Sequence, residues 1–439
     1  MRIPFVVATL SWCVASSVTV FAGDWTQFRG GMAGQLPEIS HPMEWAADRN
    51  IAWAVPMKGT GWSSPVVLGD RIFMTAAIPE NGARPKGMMA GVGSMGTYRS
   101  AKPVKHEFVV RCLSLADGSE LWSRTVTQMT PPVVHPSNTY ATESPATDGN
   151  SVFTFFATTG DLLAWDKEGH ELWRKNVGNF KSGNGFGTGS SLACADGRVF
   201  IQYDNDEKSF VAAYDVSSGE EVWRDDRETR TSWSTPLIWQ AGDQKELVTC
   251  GSGVVTSYNP ANGDVLWKLT GIQSSFSASP SVDGTRIFFG NSGPMSAGPL
   301  VAVKAGTRGD IALDSKFESD LVEWSRTRSG PGMASPVVAK GYLYIPGQGG
   351  ILNCYDVTNG ERVYRNRVSG MGTVAASLWA DADRVFILDE NGNTNVIQAG
   401  PEFKILATNK IDDLFWSTPS VAGESLLLRG VEKLYCIRP

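Results

Sequence analysis

Apolar residues fall in short runs along most of the chain, separated by small clusters of Gly, Asn, Asp and Ser. The pattern repeats. Asn262-Gly263-Asp264-Val265-Leu266-Trp267 has relatives in Asp117-Gly118-Ser119-Glu120-Leu121-Trp122 and Glu168-Gly169-His170-Glu171-Leu172-Trp173. Ser218-Gly219-Glu220-Glu221-Val222-Trp223 and Asn359-Gly360-Glu361-Arg362-Val363-Tyr364 follow the same form. Each reads as a tight turn, with Gly at positive φ, feeding a short strand that carries a large aromatic. Upstream of each aromatic lies a Ser/Thr-Pro step, a second turn and another apolar run. Ser335-Pro336-Val337-Val338-Ala339-Lys340-Gly341-Tyr342-Leu343-Tyr344-Ile345 shows it cleanly. Four short strands in about 40 to 55 residues is the period of a propeller blade.

First-strand markers fall at Pro65, Pro145, Leu192, Pro236, Pro280, Pro336, Leu378 and Pro419. Last-strand aromatics fall at Trp122, Trp173, Trp223, Trp267, Trp324 and Tyr364, while the seventh unit has only Leu406 there. The eighth unit ends at Pro439 with three strands made. The segment Ile51-Ala52-Trp53-Ala54-Val55 supplies the missing strand and its aromatic. The sequence therefore predicts an all-β, eight-bladed propeller of four-stranded antiparallel blades. The N-terminal strand closes it against the C-terminal blade, which removes open sheet edges at the seam. Residues 50–439 form this single domain, and residues 23–49 a strap packed on the outside of the ring.

Composition agrees with a repeat array: 15 Trp and 47 Gly in 439 residues match one aromatic anchor and several turns per unit. A net charge of −6 without a Lys/Arg run argues against a nucleic-acid partner and an anionic membrane surface. Residues 1–22 read as a signal peptide. Arg2 gives the positive start, Ile3 to Phe21 the apolar stretch, and Val20-Phe21-Ala22 the cleavage positions. The expected location is periplasmic or extracellular, with no transmembrane segment once the leader is removed. Trp12 is too bulky for Cys13 to serve as a lipidation site. Cys112, Cys354 and Cys436 occupy equivalent third-strand positions, too far apart for disulfides. The four histidines have no metal-ligand spacing, and no metal site is expected from them.

The Gly-turn-to-Trp ending, the Ser-Pro start, the Asp of Tyr214-Asp215 and Tyr355-Asp356, and the opening Trp25-Thr26-Gln27-Phe28-Arg29-Gly30 resemble secreted proteins built from pyrroloquinoline-quinone-like (PQQ-like) propeller repeats. The resemblance covers residues 24–439. It implies that Trp53, Trp122, Trp173, Trp223, Trp267, Trp324 and Tyr364 dock neighbouring blades. It leaves activity open, because such repeats build both quinoprotein alcohol dehydrogenases and the non-enzymatic BamB-type propellers of outer-membrane assembly.

A second set of large residues precedes the markers: Trp62, Trp233, Trp416 and Met333. Strand alternation predicts that they line the mouth of the central channel, either as a plug or as a ligand surface. Glu143, Asn184, Arg230 and Asp412 come from inter-blade connections on the same face. The Gly- and Met-rich insertion 76–107 separates the second and third strands of the first blade and should stand beside Trp62. Dehydrogenases of this family hold PQQ with calcium, and stack it between a Trp and a disulfide of adjacent cysteines. This chain has no adjacent Cys pair, and no catalytic residue is assigned. The expected function is a binding or scaffold propeller holding a protein segment, peptide or small molecule in the cell envelope. The alternative is a PQQ- and calcium-dependent alcohol or sugar dehydrogenase.

Overall fold

A computed structural model describes residues 23–36, 41–87, 101–293 and 297–439. The leader and the Met-rich centre of the insertion, including Met88, Met89 and Met95, lie outside them. Eight antiparallel sheets succeed one another along the chain, and each begins within two residues of its marker. The first strands are Val66–Leu68, Ala146–Thr147, Ala193–Ala195, Leu237–Ala241, Ser281–Val282, Val337–Ala339, Trp379–Ala380 and Ser420–Ala422. Blade 8 is completed from the N-terminal side. Ile51–Pro56 pairs antiparallel with Lys433–Ile437, with Trp53 opposite Cys436. Among the described residues no helix is long and apolar enough to cross a membrane.

The recurrent glycines have a double reason. In the turn Gly118, Gly169, Gly219 and Gly263 lie at φ of 73°, 83°, 67° and 79°. A Cβ on any of them would also sit 2.6–2.7 Å from the indole of the preceding blade, on Trp53, Trp122, Trp173 and Trp223 respectively. Those indoles donate their N–H to the same turn region: Trp53 to Leu115 O, Trp122 to Lys167 O, Trp173 to Val216 O and Trp223 to Pro260 O. Trp324 does the same to Val357 O. Opposite Trp122, Tyr364 and Trp53 in the sheet stand Cys112, Cys354 and Cys436, free, small and buried. Burial pushes the Cys112 and Cys354 thiols up to about 12.

Trp267 departs from this scheme. It is fully buried and donates to Glu246 Oε2 within its own blade. Blade 5 has no Gly turn to receive it. Instead, the connection between the third and fourth strands of blade 5 reaches back, and Gly309–Ala312 adds a fifth strand, parallel, to Val265–Thr270 at the rim of blade 4. Arg308 fixes this strand by bonding the buried Glu246 at 2.8 Å.

The Ser/Thr preceding each marker stitches the blades together around the axis. The backbone N–H of Ser64 donates to Ser144 Oγ, Ser144 to Ser191, Ser191 to Thr235, Thr235 to Ser279, Ser279 to Ser335, Ser335 to Ser377, and Ser377 to Thr418. The bonds are 2.9–3.2 Å long. At the seam between blades 8 and 1 the buried Arg429 replaces the relay, donating to Ser63 O and Oγ and to Thr75 O.

The N-terminal segment corrects one expectation. Residues 24–36 do not pack outside the ring; they cross one end of the channel and bond the innermost strands. Trp25 pairs with Val67 of blade 1, Thr26 O accepts from Thr147 N of blade 2, and Gln27 Oε1 accepts from Cys194 N of blade 3. Arg29 is fully buried and reaches Pro280 O and Ser281 Oγ of blade 5, Pro336 O of blade 6 and Ala33 O. Gly34 and Leu36 bond both sides of Ala380 in blade 7. Without a carboxylate partner, burial lowers the Arg29 guanidinium to about 9. The later part does strap the outside: Trp45 N and Met43 O both bond Asn409 of the blade 7 rim. Short Gly-rich segments lack the alternation that would mark a strand, and their backbone groups must then find partners on existing strands.

Candidate functional site

The end of the channel opposite the N-terminal segment carries the connections between blades and the loops between second and third strands. Trp62 and Trp416, from adjacent blades, stack with ring centroids 5.7 Å apart and planes at 23°. Trp62 is only 5% exposed and donates its indole N–H to Ser137 O at 2.6 Å. Trp416 is half-buried and donates to Glu390 Oε2 at 3.2 Å. Trp233 stands apart from this pair. Its N–H goes to Gly187 O at 2.9 Å, and its ring meets Phe186 edge-on at 6.2 Å. A Cβ at Gly189 would lie 3.3 Å from Trp233 Cδ1, so the ring would have to give by a few tenths of an ångström. All three indole N–H groups are thus satisfied internally, and what the mouth offers a ligand is ring surface, mainly that of the half-buried Trp233. Met333 is 36% exposed.

The insertion is narrower than its sequence suggested. Arg71–Pro79 and His106–Ser114 pair as one long hairpin, which leaves Glu80–Lys105 as the connection. Its first part folds over the stacked indoles. Arg84 bonds Gly59 O and Val431 O, Lys86 N bonds Pro136 O, and the Gly87 backbone passes so near Glu390 that a Cβ would lie 3.1 Å from its Oε2. Pro136 neighbours the Trp62 acceptor Ser137, and Glu390 is the Trp416 acceptor, so residues 84–87 cover this half of the mouth.

The polar candidates do not converge. Glu143 is fully buried and lines a small cavity of about 10 Å³ with Thr188, Ser190, Gln202, Tyr203 and Asp204. Neither of its oxygens makes a hydrogen bond of normal geometry. Desolvation pushes its carboxyl up to about 7, against a smaller opposing pull from the Thr188 hydroxyl. Arg230 is exposed and lines a separate open cavity of about 940 Å³ with Asn205–Ser209, Asp226–Thr229, Ser252, Gly253, Gln273 and Ser274. Asp412 is 93% exposed and 3.5 Å from Lys410. Asn184 lies in the turn Gly183–Gly185, and its side chain is outside the described residues. Sequence reasoning missed Phe186, whose signal was an aromatic between Gly185 and Gly187 in an inter-blade connection. It also missed Glu390, which orients Trp416.

Residues 106–305 match the family profile described as outer membrane protein assembly factor BamB. The BamB of Yersinia pestis is 24% identical over 268 residues, 57% of this chain and 62% of that protein. The chain thus matches about three-fifths of the length of that relative. Among solved structures, BamB from Moraxella catarrhalis superposes with a TM-score of 0.57 at 12% identity, covering 88% of this chain and 98% of that one. A europium-containing methanol dehydrogenase gives 0.61 at 12% identity, covering 94% and 91%. The fold is an eight-bladed propeller, and residues 106–305 are similar to the repeats of that family. The structural likenesses fix the fold alone, because at this identity binding residues are not shared by default.

The mouth of this propeller does not fit the quinone of the dehydrogenases that its repeats resemble. A stacked quinone needs a free indole face, and the buried Trp62 ring already has Trp416 on one side. The cysteines 112, 194, 250, 354 and 436 are single thiols held in blade strands rather than a pair at the mouth. Among the described residues no three His, Cys, Asp or Glu side chains gather as a cation ligand set.

Proposed function

We propose that the protein is a non-catalytic binding propeller of the cell envelope, and that its aromatic face holds an extended segment of a partner protein. The observation that carries this reading is the asymmetry of the channel. One end is sealed by the chain's own residues 24–36, and the other carries the half-buried Trp233 beside the covered Trp62–Trp416 stack, with every indole N–H already engaged. A blind funnel with an apolar aromatic rim suits shape-based capture of a side chain or strand, since aromatic anchors dominate such contacts. The similarity to BamB supports this reading. A PQQ- and calcium-dependent dehydrogenase remains the alternative, and the mouth geometry favours it less.

The test places a photo-crosslinking residue at Met333, at the mouth, and at Asp243, in a first-to-second-strand turn on the sealed face. Crosslinks to a protein from position 333, lost on Trp233→Ala and absent from position 243, support the proposal. Equal adducts from both positions refute it. Saturable quenching by PQQ with calcium, plus dye reduction with simple alcohols, would replace it with the dehydrogenase reading.

A further inference from the structure

The outermost strand of each blade but the fourth has one edge without a strand partner, and proteins usually guard such edges with mixed charge. Blades 1 to 3 do so with acid–arginine pairs: Glu120 with Arg111 at 2.5 Å, Glu171 with Arg174 at 2.8 Å, and Arg224 with Asp226 at 2.6 Å. Blade 4 has its edge covered by the chain's own fifth strand, Gly309–Ala312. Blade 6 differs from all of these. Its outer strand, Arg362–Arg367, carries Arg362, Arg365 and Arg367 and no acid. All three are exposed. Among the described residues none of them joins an ion pair, and Arg362 and Arg365 make no side-chain hydrogen bond. Arg367 bonds Gly349 O.

The basic character extends to the neighbouring blade. Tyr364 turns toward Phe403 of blade 7, so Arg365 and Arg367 take the opposite face, toward blade 5. From that side come Arg326, bonded to Gly360 O and Asn359 O, and the exposed Arg328. The nearby acids are largely committed elsewhere. Glu323 pairs with Arg286 and Lys304, and Asp356 bonds its own turn at Thr358. Glu361 is an exposed acid directly before the strand, and the exposed Glu402 lies on the blade 7 side, next to Phe403. A chain of net charge −6 has here concentrated unpaired positive charge on an open β edge.

We propose that the rim of blade 6 is a second docking surface, and that it accepts an extended acidic segment of a partner protein as a fifth strand. Blade 4 shows that a blade rim in this ring has room for such a strand. Main-chain bonds would supply the affinity, and acidic side chains at alternate positions would meet Arg365 and Arg367. The surface is independent of the aromatic mouth.

The test uses a short fluorescein-labelled peptide alternating Glu with Val or Thr. Companions carry Gln or Lys in place of Glu, or a Pro at the centre. The Glu peptide is expected to bind in fluorescence anisotropy, to weaken with added salt, and to slow hydrogen exchange within residues 362–367. The Pro and Lys peptides should fail. Arg362→Gln/Arg365→Gln/Arg367→Gln should weaken the Glu peptide at least about tenfold with an unchanged melt, and Trp416→Ala should not. Equal binding of the Gln peptide overturns the proposal, as does protection elsewhere than this strand. So does a triple variant that self-associates while the parent binds no peptide, the behaviour of arginines that merely keep edges apart.

Discussion

Replacing Gly219 by Ala isolates the contact on which blade docking turns. Gly219 and Gly242 both sit in turns between strands at nearly the same φ, 67° and 65°. A Cβ on Gly242 meets nothing within 4 Å, whereas on Gly219 it falls 2.6 Å from Cδ2 and Cε3 of Trp173. Left-handed backbone costs Ala about 1–2 kcal/mol, partly offset by a stiffer unfolded chain. Gly242→Ala should therefore lose about 1 kcal/mol. At Gly219 the methyl enters about 1 Å inside the usual carbon–carbon separation. The ring must then shift, which disturbs its stacking on Phe153, 5.9 Å off, and strains its 2.9 Å bond to Val216 O. Overpacking adds about 1–3 kcal/mol and a weakened hydrogen bond about 1 more. The expected loss is about 3–5 kcal/mol, measured as the shift in urea midpoint at constant slope, with the Trp emission maximum moving to the red. If both variants lose the same amount, the shared positive φ alone explains the glycine and the docking argument fails.

Two further outcomes follow from buried charge. Glu143 has a folded pKa near 7 against an ordinary 4.5, so between these values the folded protein holds a proton that the unfolded chain has released. Stability must therefore fall as pH rises through that window. Glu143→Gln should leave stability unchanged at pH 4 and raise it by about 3 kcal/mol above pH 7, read from denaturation midpoints across the range; a pH-independent difference would refute the assignment. Arg29→Lys keeps the charge but cannot serve carbonyls on blades 5 and 6 together. It should cost about 2–3 kcal/mol and speed proteolytic release of the N-terminal segment, whereas unchanged cleavage would show that the segment is held by Trp25 and Ala380 alone.

The blades were legible because their two local rules are written in residue identity. A Gly before a Trp marks a missing Cβ, and a Ser/Thr before a Pro marks the first strand. The second rule has a further content that the linear sequence hides. Ser144 or Ser279 looks like a strand-start residue, yet its hydroxyl is the acceptor for the blade before it. The sealing of the channel was not legible, since Arg29 in a Gly-rich stretch has the appearance of a surface charge until eight blades surround it. The fifth strand of blade 4 was hidden for a similar reason, because Gly309-Asp310-Ile311-Ala312 is too short to show alternation. At the mouth, spacing brought Trp62 and Trp416 together through adjacent connections. It could not reveal that each indole N–H is claimed by a distant backbone or side-chain oxygen, which separates Trp233 from the pair.

The seal made by residues 24–36 sets an order of events. The partners of Arg29 lie as many as 307 positions further along the chain, so its socket cannot exist until the sixth blade has been made. Residues that leave the ribosome among the earliest are therefore seated among the latest. A nascent chain of this protein carries its own stopper unattached, and a ring that fails to finish is left bored straight through.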